Sequence, residues 1–139
     1  MNKLIEQLKR HEGLKLKPYK CPAGKLTIGY GRNIEDNGIS LYEAEEMLEN
    51  DIYACDKELL KFEWYSKIDE TARKAVLINM CFNLGLPRLL KFVNMINALS
   101  VYDYGLAAKE MLDSKWADQV GDRAVELAMQ MKTGVYSDR

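Results

Sequence analysis

His11-Glu12-Gly13-Leu14-Lys15-Leu16-Lys17-Pro18-Tyr19-Lys20-Cys21-Pro22-Ala23-Gly24-Lys25-Leu26-Thr27-Ile28-Gly29-Tyr30-Gly31 is the stretch in which the chain changes character. Upstream, Leu4, Ile5 and Leu8 recur at helical spacing, and Glu12 extends that face one turn further. Gly13 supplies a C-terminal stop and Pro18 opposes continuation. Leu26, Ile28 and Tyr30 then alternate with Thr27, Gly29 and Gly31, the period-two signature of a strand. Pro22-Ala23-Gly24-Lys25 has turn chemistry, so Tyr19-Lys20-Cys21 returns antiparallel to that strand. A five-residue connection sets Cys21 opposite Thr27, and a four-residue connection sets it opposite Leu26. The loop residues Asn33 to Gly38 end this β element.

Everything downstream reads as helix. Ser40-Leu41-Tyr42-Glu43 is a capping box, followed by Leu41, Ala44, Leu48, Ile52 and Cys55 at helical spacing. Asp69 is placed to cap a second helix, whose run from Ala75 to Phe82 is apolar almost all round and predicts a central, buried position. Gly85 and Pro87 are read as its stop. Further helices are expected over Leu89 to Leu99, Leu106 to Leu112 and Ala124 to Met131, the last ended by Gly134. The expectation is an α+β fold, mainly helical with a small β-hairpin lobe near the N-terminus. Residues 1–139 are read as one domain, since no repeat, low-complexity tract or linker interrupts them.

The 139 residues suffice for a single core, and no apolar run approaches the ~20 residues of a membrane span, so stable membrane insertion is not expected. Charges in the first ten residues replace the apolar centre of a signal peptide, so synthesis and folding in a cytoplasm are expected. Cys21, Cys55 and Cys81 are odd in number and widely spaced, matching neither a disulfide framework nor a zinc pattern, and a metal site is not expected. The net charge of −1 conceals a balance of +6 over residues 1–32 and −7 over the rest. A basic quarter on an acidic body suits contact with an anionic polymer through one surface.

Glu12 is the residue with a chemical argument of its own. A carboxyl on the inward face at the negative end of a helix is disfavoured as an anion by burial and by the helix dipole. Both raise its pKa, as a general acid near neutral pH requires. The stretch quoted at the outset resembles the active-site segment of the phage-type lysozymes, glycoside hydrolase family 24. That family carries a Glu, eight residues, an Asp or Cys, five residues, then a Thr, and Glu12, Cys21 and Thr27 meet both spacings. The flanking Glu-Gly-Leu, Pro-Tyr and Thr-Ile-Gly-Tyr-Gly match as well. Residues Ala72 to Gly85 are similar to the family's central helix, with Asn79 and Asn83 in its polar, cleft-side slots. Lys115 to Ala124 and Lys132-Thr133-Gly134 resemble its C-terminal region, where Arg123 matches an arginine that in the family pairs with the catalytic glutamate. Such a pair lowers the carboxyl pKa, so the net shift on Glu12 carries no sign at this stage.

The resemblance implies a lysozyme-like domain that hydrolyses the β-1,4 bond between N-acetylmuramic acid and N-acetylglucosamine in peptidoglycan glycan strands. Glu12, Cys21 and Thr27 are then the catalytic residues, Arg123 supports them, and Asn79, Asn83 and Tyr30 bind substrate. Thr27 orients the attacking water, and Cys21 stands where many relatives carry Asp. A thiol has a pKa near ~8.5, so Cys21 works either as a base toward water or, as thiolate, as a nucleophile, and the two routes give opposite anomers. Lys20 and Lys25 would raise the thiolate fraction if they lie nearby. Acid–base glycoside cleavage needs no cofactor, and with no exposed heptad seam a monomer is expected. The family also implies an endolysin made in the host cytoplasm that reaches the periplasmic wall through a pore made by another protein. Two other classes remain: a non-catalytic peptidoglycan binder, which only Cys21 favours, and a nucleic-acid-binding domain. For the latter there is neither a phosphate loop nor a basic recognition helix, so no nucleic-acid partner is expected.

Overall fold

A computed structural model describes residues 1–136. The chain forms α1 (Asn2–Glu12), β1 (Lys15–Lys20), β2 (Leu26–Gly29), β3 (Arg32–Asn33), α2 (Ile34–Asn37) and α3 (Leu41–Leu59). It continues with α4 (Glu63–Ser66), α5 (Thr71–Leu84), α6 (Leu86–Leu89), α7 (Val93–Ser100), α8 (Tyr104–Leu112), α9 (Lys115–Val120) and α10 (Asp122–Thr133). The fold is α+β, mainly helical, with one small antiparallel sheet in the order β1-β2-β3. Contacts divide the chain into two compact units, Met1–Met47 and Leu48–Arg139.

In the N-terminal unit α1 ends at the expected Gly13, whose amide closes on the Lys9 carbonyl at 3.0 Å. Leu4, Ile5 and Leu8 lie along the helix at 43 to 46% exposure. The inward placement expected of Glu12 is corrected: α1 buries none of its residues, and the carboxyl side chain is exposed where Gly13 turns the chain away into β1. The sheet also has one strand more than a hairpin. Ile28 pairs with Arg32 and Thr27 with Asn33, so part of the stretch read as loop is β3. Asn33 then accepts from the Asp36 amide at 3.1 Å and starts the short α2. The capping box forms as read: the Glu43 amide bonds to Ser40 Oγ at 3.1 Å, and Glu43 Oε1 accepts the Ser40 amide at 2.9 Å.

The C-terminal unit holds the core. Val76, Leu77 and Met80 of α5 are fully buried, as the all-round apolar run predicts, although Phe82 is half exposed. α8 packs on α7 and on α10, and α10 on α5. Ala107 and Ala108 of α8 and Ala124 and Ala128 of α10 are buried, small side chains that suit close helix packing. Each large side chain so buried contributes about 1.5–3 kcal/mol before entropy is counted. Asp69 does not cap α5. The N-cap is Glu70, whose carboxylate instead pairs with Arg73 one turn on. Arg73 also donates to the carbonyls of Met131 at 2.7 Å and Lys132 at 2.9 Å, tying α5 to the end of α10.

Pro87 is not a stop but an opening residue, at the start of α6 where its missing amide costs nothing. The single helix expected over Leu89 to Leu99 is broken at Leu90–Phe92 into α6 and α7. The break turns both Leu89 and Met95 inward, and it lets Phe92 meet Trp116 edge-on with centroids 6.1 Å apart.

Candidate active site

The turn between β1 and β2 is tighter than either connection considered. Tyr19 faces Thr27 and Lys20 faces Leu26, so Cys21 falls opposite Lys25. The Cys21 amide donates to the Lys25 carbonyl at 3.0 Å, and the Gly24 amide to the Cys21 carbonyl at 2.8 Å. Pro22-Ala23-Gly24 is therefore a three-residue loop, a turn closed by a residue at φ +79°, which glycine alone adopts without cost. In this register Cys21 and Thr27 are diagonal neighbours on one face of the hairpin.

That turn aims amide groups at the sulfur. The Cys21 thiol pKa lies below its ordinary value, first because of a hydrogen bond from the backbone of Lys25, with smaller help from Ala23 and the Thr27 hydroxyl, while partial burial opposes. The cause differs from the lysine charges anticipated for it. Lys25 Nζ is engaged with Asp36 at 3.2 Å and Glu35 at 3.6 Å. Thr27 is 3% exposed, and its hydroxyl donates to the Lys25 carbonyl at 2.9 Å. It has one proton, so giving that proton to a thiolate means releasing the carbonyl.

Beyond β2 the chain turns through Gly29, Tyr30 and Gly31 into β3. The Glu12 side chain lies against Gly31: a Cβ built there would sit 2.7 Å from Oε2 and 3.1 Å from Cδ. The strand that carries Thr27 thus leads directly to the turn on which the Glu12 carboxyl rests. Tyr30 stands between the two glycines and is 45% exposed, and Lys9 Nζ lies 5.5 Å from its ring centroid. Polar contacts hold the unit around these groups. Arg32 clamps Glu43 at 2.8 and 2.5 Å in a two-pronged pair, and Glu35 Oε1 accepts the Leu26 amide at 3.2 Å.

The remaining expected residues belong to the C-terminal unit. Arg123 donates to Asn79 Oδ1 from Nε at 3.0 Å and from Nη2 at 2.6 Å. Both residues line an open groove of about 820 Å³ with Ile52, Tyr53, Ile78 and Phe82. Asn83 Oδ1 accepts the indole N–H of the buried Trp116 at 2.8 Å. Two participants escaped sequence reasoning. Gly31 stood out only as one glycine of Thr-Ile-Gly-Tyr-Gly, and the part played by the Lys25 backbone depends on a loop length that composition does not fix. Among the described residues no cluster of His, Cys, Asp and Glu could hold a metal ion.

The chain matches the phage lysozyme family over residues 9–130. It is 34% identical over 114 residues to the endolysin of Acyrthosiphon pisum secondary endosymbiont phage 1, covering 79% of this chain and 74% of that protein. It is 27% identical over 166 residues to probable T4-type lysozyme 1 of Dictyostelium discoideum, covering 99% and 98% respectively. It is also 28% identical over 162 residues to the pre-baseplate central spike protein Gp5 of Enterobacteria phage T4, where 94% of this chain spans 28% of the longer protein.

Proposed function

The chain belongs to the phage lysozyme family, a family of glycoside hydrolases, and from that premise we propose that it is a muramidase of the endolysin type. It cuts the β-1,4 bond between N-acetylmuramic acid and N-acetylglucosamine in peptidoglycan, and Glu12, Cys21 and Thr27 do the chemistry. The observation that carries the assignment is the hairpin register. It sets the Cys21 thiol and the Thr27 hydroxyl on one face of the strand that runs into the turn under Glu12.

Protonated Glu12 delivers its proton to the glycosidic oxygen as the C–O bond breaks, through an oxocarbenium-like transition state. Thr27, whose own proton is engaged by the Lys25 carbonyl, accepts a hydrogen bond from water on the opposite face of the sugar. Cys21 as thiolate takes the other proton of that water, and the remaining hydroxide oxygen bonds to the anomeric carbon. Glu12 ends as carboxylate, Cys21 as thiol, and the anomeric centre is inverted. The exposed Tyr30 ring offers a face to a sugar. Arg123 supports Asn79 by fixing its amide carbonyl, which leaves the amide NH2 to face the glycan. Asn83 acts through Trp116, whose indole it holds. The protein works as a monomer on glycan strands, made in the host cytoplasm and reaching the wall through a pore that another protein opens.

Clearing of permeabilised Gram-negative cells tests the assignment. Glu12→Gln is expected to lose about 10²–10⁴-fold of activity, Cys21→Ala to lose most of it, and Cys21→Asp to keep a substantial part. The ascending limb of the pH–rate profile lies below an ordinary thiol pKa, and in Cys21→Asp it moves into the carboxylate range. Undiminished activity in Glu12→Gln overturns the reading. Proton NMR of the first anomer released is expected to show the α form, and a β product would instead make Cys21 a nucleophile.

A further inference from the structure

We propose that Gly31 is a positioning residue whose missing side chain is the seat of the Glu12 carboxyl. The inference rests on the general-acid reading of Glu12. Three consecutive atoms of Glu12 crowd the place that a Gly31 Cβ would take: Oε2 at 2.7 Å, too close for a real contact, with Cδ at 3.1 Å and Cγ at 3.3 Å. A Cβ there forces Oε2 to move and presses Cδ and Cγ back by a few tenths of an ångström, so the carboxyl leaves the position it holds over glycine.

The neighbouring glycine supplies the contrast. Gly29, two residues upstream in the same turn, has φ +72° against +76° at Gly31, yet a Cβ there meets nothing within 4 Å. A methyl group at either position meets a positive φ that L residues rarely adopt. Only at Gly31 does it also displace the Glu12 carboxyl. The seat matters because Glu12 is the last residue of α1 and is exposed, so its three rotatable side-chain bonds find little other restraint in the helix. Resting three atoms on the bare Gly31 backbone selects one orientation in advance of substrate, and a pre-positioned acid is worth a large factor in rate.

The test compares Gly31→Ala with Gly29→Ala in the full chain, using purified Gram-negative sacculi and release of reducing ends. Both variants are expected to melt at lowered temperatures, Gly31→Ala with the added cost of displacing Glu12. Gly31→Ala is expected to lose about 100-fold more in kcat than Gly29→Ala, with KM little changed. The descending limb of its pH–rate profile should move, and that of Gly29→Ala should not. Equal losses of kcat in the two variants overturn the inference. A second measurement stands apart from activity: in a double-mutant cycle the Gly31 methyl should lower the melting temperature less when Glu12 is Ala. If Gly31→Ala alone does not fold, its folding in the Glu12→Ala background supports the contact, and failure there refutes it. An active Glu12→Gln enzyme would sink the general-acid reading, while the cycle would still report on the contact.

Discussion

Asn83, nominated to bind substrate, has its side-chain carbonyl engaged within the fold. The family resemblance marks it as a cleft-side polar residue, and the structure engages its carbonyl with the indole of Trp116, itself 4% exposed. Asn83→Ala leaves a buried N–H without an acceptor, which costs about 1–3 kcal/mol. The expected result is a lower thermal midpoint with KM on sacculi nearly unchanged, and Asn83→Asp, which keeps an acceptor, should retain most of the stability. A KM rise without a change in melting would return Asn83 to direct substrate contact. Glu12, Cys21 and Thr27 could be nominated from the sequence because their spacing and flanks form a pattern. The exposure of Glu12 was not, because helical periodicity reports which residues share a face and says nothing of what covers that face.

Among the elements, those with a local cause were legible. The Ser40–Glu43 box starts α3 and Gly13 ends α1 because the controlling atoms lie within one turn of each other. The elements missed depend on distant partners or on backbone angles: β3 exists because Gly29 and Gly31 reverse the chain, and the α6–α7 break serves the placement of Leu89 and Met95. Glu43 joins two elements at once, bonding the start of α3 and the Arg32 guanidinium of β3. Arg32 chiefly, then the Ser40 amide, lowers its pKa from 4.5 to about 2. A depressed carboxyl pKa contributes stability that is complete above about 4.5 and is lost as pH falls toward 2. Melting curves of the wild type and Glu43→Gln should therefore differ at pH 6 and converge near pH 2. A gap that persists at pH 2 would mean that packing, not charge, explains the difference.

For the molecule as a whole, cohesion differs in kind between the two units. In the C-terminal unit it comes from buried apolar side chains, whereas Thr27 is the buried residue of the described N-terminal unit, which is otherwise joined by the β1–β3 ladder and by exposed ion pairs such as Arg32–Glu43 and Lys25–Asp36. Salt screens the second kind and spares the first, since the Debye length shrinks from about 30 Å at 0.01 M to about 3 Å at 1 M. Hydrogen exchange should therefore find the β1–β3 amides faster than those of α5 and α10, with the gap widening in 1 M salt. Equal protection in both units would contradict this contrast. The three thiols divide along the same line. Burial first, and a hydrogen bond with Cys55, push Cys81 up to about 12, while the turn amides draw Cys21 the other way. One equivalent of a maleimide dye in a brief pulse at neutral pH should tag Cys21 ahead of Cys81, as peptide mass mapping would show. The protein thus brings its own attachment point for a fluorophore, on the hairpin that carries Thr27, with no engineered cysteine required.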